Sequence, residues 1–296
     1  MGTYVRYALF RLLVALCWIL PQRLLYWIAF RIADLNCYLL DPKGKRAVLA
    51  NLRQVLPDAT DDRIRHEARW VFRNFGKYLT EFFRFRRFDR AFFERRVASH
   101  GLEHVRNALA GGKGLIVVSA HLSNWELGAA SLSTQHGFTV NVVAAMHRYG
   151  RINRLFLRER EAMGISVLDM ERGAARQAVR ALRRNEIVGL LGDRDPTEQG
   201  VTVEFFGRPC RFPQGPARLA ILTGAPLVVA FAHRRTNDSF SVVYLPPVPE
   251  PTEGDRDERV GAMTQGCARL SEDAIRMHPE EWAVFYPMWD GGLKPA

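Results

Sequence analysis

His121 is the residue whose type and position could do chemistry most directly. An imidazole titrates near neutral pH, so it can take a proton from a hydroxyl and later return it. It stands in Ala120-His121-Leu122-Ser123-Asn124-Trp125-Glu126, after the β-branched run Leu115–Ser119 and before a helix-like stretch at 123–134. In open α/β sheets ligands bind outside the carboxyl ends of the strands, and His121 falls there. Glu126 has two readings. It can partner His121, or it can close a Ser123-x-x-Glu126 capping box, which needs no catalysis to explain it. Both hold together if the cap fixes the helix start and with it the spacing of His121 and Glu126. Asp193 and Asp195 form an Asp-x-Asp after the apolar run 187–191, a spacing that suits a divalent cation or an acidic turn. Glu204, in the strand-like VTVEFFG, reads on its own as an exposed strand residue. Arg148 and Arg151, which follow the run 138–145, read as surface cations.

Other chemistries find little support. No Gly-x-Ser-x-Gly elbow occurs, which argues against a serine hydrolase. Cys17, Cys37, Cys210 and Cys267 form no CxxC pair and no cluster with zinc-like spacing. Reduced, mostly buried thiols are therefore expected, with no metal and no bound cofactor.

Apolar runs at 115–119, 138–145, 165–168, 187–191, 226–232 and 239–245 predict the strands that must position these residues. Helix-like stretches at 123–134, 152–163, 173–184, 214–224 and 257–278 lie between or after them. Such alternation predicts an α/β fold, a central mostly parallel sheet flanked by helices. Residues 43–100 read as helices, with Asp61-Asp62 opening a long amphipathic one. The organisation expected is an N-terminal segment 1–40, then one domain 41–296 made of a helical lead-in (41–100) and an α/β core (101–296).

The chain has 296 residues, 48% hydrophobic and 25% charged, which excludes global disorder and fibrous classes. Its net charge of +11 points to an anionic partner. Residues 1–100 carry 19 Lys/Arg and 9 Asp/Glu, a net of +10, and the remainder carries only +1. The excess therefore coincides with the most apolar part of the chain, at 7–20 and 24–30, broken near Pro21. Neither run reaches the roughly 18–20 residues that span a bilayer cleanly, and no signal-peptide cleavage site follows. A monotopic hairpin or one short tilted span, with arginines snorkelling to anionic headgroups, is expected, against the alternative of a soluble helical layer. EFFRFRRFDRAFFERR (81–96) interleaves six Phe with six Arg. Helical spacing favours phenylalanines in a core over a nucleic-acid surface, and no nucleic-acid motif accompanies the tract, so no nucleic-acid partner is expected.

His121-x-x-Asn124-Trp125-Glu126 resembles the His-x4-Asp/Glu signature of bacterial glycerolipid-type acyltransferases. More narrowly, the chain resembles the lipid A lauroyl/myristoyl acyltransferase family, which includes phosphatidylinositol mannoside acyltransferases. Further blocks carry the likeness, in order, across roughly residues 10–290. They are Asn51-Leu52-Arg53 with Phe72-Arg73-Asn74-Phe75-Gly76, Gly192-Asp193-Arg194-Asp195 with Gly200–Gly207, Phe212-Pro213-x-Gly215-Pro216-Ala217, and His278-Pro279-Glu280-Glu281-Trp282…Trp289. The resemblance implies acyl transfer from acyl-CoA or acyl carrier protein to a hydroxyl of a membrane glycolipid, with no covalent enzyme intermediate. His121 is then the general base and Glu126 its motif partner. It also implies a carboxylate partner for His121 from outside the motif, for which Glu204 is the first candidate and Asp195 the next. Asn124, Asp193 and Asp195 are expected to position substrate. Arg148 stands close to where the family places an oxyanion- or phosphate-binding arginine. The usual Arg-Pro is Arg148-Tyr149 here, so Arg151 competes for that role. Glu126 in place of Asp leans toward lipid A enzymes. The Asp-Arg-Asp turn and the Trp282…Trp289 ending lean toward mannoside-type enzymes. The location implied is the cytoplasmic face of a bacterial inner membrane, and the alternative is a non-catalytic protein that binds anionic membranes.

Overall fold

The computed structural model describes residues 2–145, 150–170, 173–195 and 199–289, with side chains from residue 11 onward. Among the described residues the α-helices α1 (Gly2–Ile19), α2 (Gln22–Leu35), α3 (Pro42–Val55), α4 (Asp61–Phe82) and α5 (Arg90–Arg96) come first. Then follow β1 (Val97–His100), α6 (Leu102–Ala110), β2 (Leu115–Ser119), α7 (Trp125–Ala130), β3 (Val140–Ala144), α8 (Gly150–Ala162) and β4 (Ile165–Asp169). The chain continues through α9 (Ala174–Arg183), β5 (Ile187–Leu191), β6 (Val201–Phe205), β7 (Arg208–Phe212), α10 (Gly215–Thr223), β8 (Leu227–Arg234), β9 (Phe240–Pro247) and α11 (Arg256–Met277).

Seven strands form one sheet in the order β1-β9-β8-β2-β5-β3-β4, parallel at every pairing except β8 with β9. The expected α/β architecture is therefore present. Central strand β2 needs no polar face, because Leu115 and Val117 enter one core while Ile116 and Val118 enter the other. Two elements depart from expectation. β1 lies in the stretch read as helical, where four residues, VASH, are strand only because they pair with β9. β6 and β7 make a separate antiparallel hairpin.

The lead-in helices position the active site from one side. Asp41 caps α3, and Thr60 caps α4. Gly76 lets α4 approach α2 closely, since a Cβ there would stand 3.4 Å from Ala29. Asp34 of α2 accepts hydrogen bonds from Arg69 and Arg73 of α4 at 2.6–2.9 Å. The Arg69 and Arg73 hydrogen bonds hold the Asp34 carboxyl well below the usual carboxylate range. Side chains of α3 and α4 also grip the C-terminal segment: Asn51 donates to the carbonyls of Val284 and Tyr286, and Asn74 to that of Glu280.

In the Phe/Arg tract, Phe82, Phe83, Phe85, Phe88 and Phe93 are buried. Its arginines serve the fold: Arg84 and Arg87 donate to the carbonyls of Leu20 and Trp18, at the C-terminal end of α1. Cations at that end oppose the partial negative charge of the helix. No helix among the described residues is long and apolar enough to cross a membrane. The break expected near Pro21 separates α1 from α2.

Candidate active site

Strand register builds the centre of the site. β2 and β5 are parallel neighbours, with Ser119 opposite Leu191. Two residues beyond that pair lie His121 and Asp193. The chain turns sharply after each strand, and the Gly192 amide donates to Ser119 O at 2.7 Å. Only glycine fits there, because a Cβ would come within 2.5 Å of Val118 Cγ1. His121 Nδ1 then meets Asp193 Oδ1 at 2.8 Å, and the His121 backbone amide donates to Oδ2 at 2.9 Å. Trp282 Nε1 also donates to Oδ2, at 3.0 Å.

Asp193 is fully buried, which by itself would push its carboxyl up. The charge of His121, its two hydrogen bonds and the Trp282 N–H outweigh burial and hold Asp193 below the ordinary value. A carboxylate on Nδ1 fixes the tautomer that leaves the Nε2 lone pair free. The Trp282 segment is tied to the motif by backbone: Ser123 N donates to Glu281 O at 2.9 Å, and Ala283 N to His121 O at 2.8 Å.

The motif helix starts differently from the expected capping box. Asn124, not Ser123, is the N-cap of α7, its Oδ1 accepting from Leu127 N at 3.0 Å. Ser123 sits at φ 55°, a left-handed conformation uncommon outside glycine. Glu126 is thereby freed for a different bond. It is buried against Arg160 of α8, whose Nε lies 3.1 Å from both carboxylate oxygens. The helix expected at 123–134 is six residues of α7 followed by a π-type turn at Ser131–Gln135.

The other expected residues are placed as follows. Glu204 is not brought to His121. Period-two alternation in β6 sends Val203 and Phe205 inward and Glu204 outward, and its backbone pairs with Gln265 of α11. The carboxylate on His121 is Asp193 instead of Glu204 or Asp195. Asp195 is buried and accepts from Gly200 N at 2.6 Å, closing the turn after β5. Asn124 is fully buried as a cap and donates to Glu81 at 2.8 Å. Arg151 is exposed on α8, and Arg148 lies outside the described residues. The arginine that sequence reasoning missed is Arg160, which gave no local signal because its partner Glu126 lies on another helix.

A groove of about 1820 Å³ opens at His121. Its lining includes the apolar side chains Val117, Leu132, Val140, Val142, Ala230 and Val242. Its wall includes Trp125, 5.1 Å from the His121 ring and stacked on Tyr78 at 4.3 Å. The cations Lys43, Arg46, Arg194, Arg218 and Arg256 also line the groove. The volume exceeds the roughly 300–1,000 Å³ of small-molecule pockets, which suits a long substrate with an apolar end and an anionic end.

The profile described as bacterial lipid A biosynthesis acyltransferase matches residues 2–290. The chain belongs to that family. It is therefore an acyltransferase by descent, as the ordered motifs led us to expect. Among curated relatives, a phosphatidylinositol mannoside acyltransferase of Mycobacterium tuberculosis (strain ATCC 25618 / H37Rv) is 32% identical over 84% of this chain and 77% of its own. One of Mycolicibacterium smegmatis is 30% identical over 84% of this chain and 81% of its own. The lipid A biosynthesis lauroyltransferase of Escherichia coli (strain K12) is 25% identical over 94% and 90%.

Proposed function

We propose that this acyltransferase moves a fatty acyl group from a thioester, acyl-CoA or acyl carrier protein, to a hydroxyl of a phosphatidylinositol-mannoside-type glycolipid. The observation that carries the reading is the His121–Asp193 pair, with His121 on the wall of one groove lined by both apolar side chains and cations. His121 Nε2 takes the proton of the acceptor hydroxyl as its oxygen attacks the thioester carbonyl. Asp193 stabilises the imidazolium that forms. The tetrahedral intermediate collapses, the carbon–sulfur bond breaks, and the thiolate leaves with the proton from His121. A lipid A-type acceptor is the second reading. The mannoside class is preferred because the relatives of that name are the more similar ones, at 32% and 30% against 25%.

The apolar lining of the groove is read as the acyl site, and Gly128 tests it. A Cβ there would lie 3.7 Å from Ala232 and 4.0 Å from Val242, so a leucine side chain would extend into the acyl space. Excluding three or four methylenes at about 0.8 kcal/mol each is a loss of roughly 100-fold. Gly128→Leu is expected to lower kcat/KM for palmitoyl donors by that factor and to spare octanoyl donors. Equal loss for both chain lengths would place the acyl chain elsewhere.

We read the enzyme as resting on the cytoplasmic face of the inner membrane through α1 and α2. Leu25, Tyr26, Ala29 and Ala33 of α2 are buried, while Leu24, Trp27, Ile32 and Leu35 are exposed. Tyr38, Leu39 and Leu40 extend the exposed face. A helix apolar on both sides suits a second apolar medium, and Arg31, over the Trp27 ring at 5.5 Å, suits its headgroups. Replacing Leu24, Trp27 and Leu39 together by serine is expected to weaken binding to anionic vesicles at least tenfold, as the loss of three buried apolar groups requires. Unchanged sedimentation with vesicles would contradict the reading.

A further inference from the structure

His233, His278 and Glu281 converge outside the groove, on the far side of the segment that carries Trp282. His278 ends α11, and Glu281 closes the 3₁₀ turn Pro279–Glu281 that follows. Residues three apart eclipse in such a turn, so the two side chains share one face. His233, near the end of β8, meets that face, its ring centroid 4.4 Å from that of His278. One nitrogen of each imidazole and one oxygen of Glu281 lie within 4.8 Å of one another. Glu281 is buried, His278 is about a third exposed, and His233 Nδ1 is buried with no hydrogen-bond partner, 3.9 Å from Glu281 Oε2. Buried polar atoms are rarely left so, and an orphaned ring nitrogen facing a carboxylate is the arrangement a cation completes.

We propose that His233, His278 and Glu281 form a divalent transition-metal site, with zinc the best fit. Two imidazoles and one carboxylate suit zinc and cobalt, whereas calcium and magnesium prefer all-oxygen sets. Ligands about 2.0–2.1 Å from zinc stand closer together than 4.8 Å, so His278, the most exposed of the three, closes by roughly 1 Å. Its open side leaves the fourth position to water. The site is structural. It pins residues 278–282 to β8, and this segment gives Trp282 Nε1 to Asp193 and Glu281 O to Ser123 N. Local spacing in the sequence gives no sign of such a site, because His233 comes from β8 and the other two residues from the segment after α11.

The test uses the full chain, purified in detergent, stripped with a chelator and titrated with Co²⁺. Wild type is expected to bind one equivalent with the visible absorption of a tetrahedral site, displaced by Zn²⁺, and to gain thermal stability from Zn²⁺. His278→Gln, at the partly exposed position, is expected to fold as apo wild type does and to bind Co²⁺ at least tenfold more weakly. Glu281→Gln provides a second variant with the same expectation. No tetrahedral spectrum in wild type, or equal Co²⁺ binding in wild type and both variants, would overturn the site, the latter marking adventitious binding to other histidines only.

Discussion

Asp193→Asn is expected to lower kcat by about 10³–10⁴ while KM for donor and acceptor stays within a few-fold, as for other catalytic histidines that lose their carboxylate. Asparagine is nearly isosteric and can keep bonds to Trp282 Nε1 and the His121 amide. It cannot stabilise an imidazolium by charge. It also favours whichever His121 tautomer its amide dictates, including the one with Nε2 protonated and useless as a base. The loss therefore falls on the chemical step and not on binding. Steady-state kinetics with saturating donor, beside a circular dichroism spectrum matching wild type, separates this from misfolding. A decline below tenfold would mean that His121 works without Asp193, and the dyad assignment would be wrong.

Glu81→Leu is expected to cost 3–5 kcal/mol of stability, the usual penalty for stranding the partner of a buried ion pair. Glu81 is buried on α4 and accepts from Arg234 at 2.5 and 2.8 Å, from Asn124 at 2.8 Å and from the Tyr26 hydroxyl. Burial and the adjacent Glu81 keep the Tyr26 phenol protonated far above its usual range. Without the carboxylate, the buried Arg234 guanidinium loses its two direct hydrogen bonds and keeps, among the described residues, only the ion pair with Asp238, 3.7 Å away. The double variant Glu81→Leu/Arg234→Leu removes both charges and is expected to cost less than the sum of the singles, the sign of direct coupling. Denaturant unfolding measures both. A single-variant loss under about 1 kcal/mol would show that the network contributes little. The same carboxylate holds Asn124, the cap of the motif helix, and Tyr26 on α2, so one buried acid joins the apolar N-terminal layer to the catalytic loop.

How much of this was legible in the sequence depends on the range of the interaction. β2 and β8 are legible as continuous apolar runs, because a strand covered on both faces must be apolar throughout, and β3, β4, β5 and β9 as shorter or alternating apolar stretches. β1 is not, since VASH carries no pattern and owes its conformation to β9. His121 was legible because its place after a strand is a local property. Its carboxylate was not. Asp193 stands out in the sequence as half of an Asp-x-Asp, but only the β2–β5 pairing, a long-range fact, sets it opposite His121. Glu204 failed as that partner for a reason already present in VTVEF: inward Val203 and Phe205 force it outward. Ser-x-x-Glu promised a capping box, yet Asn124 takes the cap one residue later and Glu126 turns to Arg160. Arg160 shows the limit of reading by spacing, as a buried pair between helices leaves no mark in either segment.

His121, held by Asp193, is expected to remove the proton of a glycolipid hydroxyl as acyl transfer begins. The most direct measurement is transfer from labelled palmitoyl-CoA and palmitoyl-acyl carrier protein to purified phosphatidylinositol mannosides and to a lipid A precursor. Wild type and His121→Ala are run in parallel and the products resolved by mass. A palmitoyl ester on the mannoside acceptor is expected from wild type, with His121→Ala at least about 10³-fold slower. Equal product from both proteins, or none from wild type with any donor and acceptor pair, would contradict that expectation and favour a protein that binds anionic membranes without catalysis.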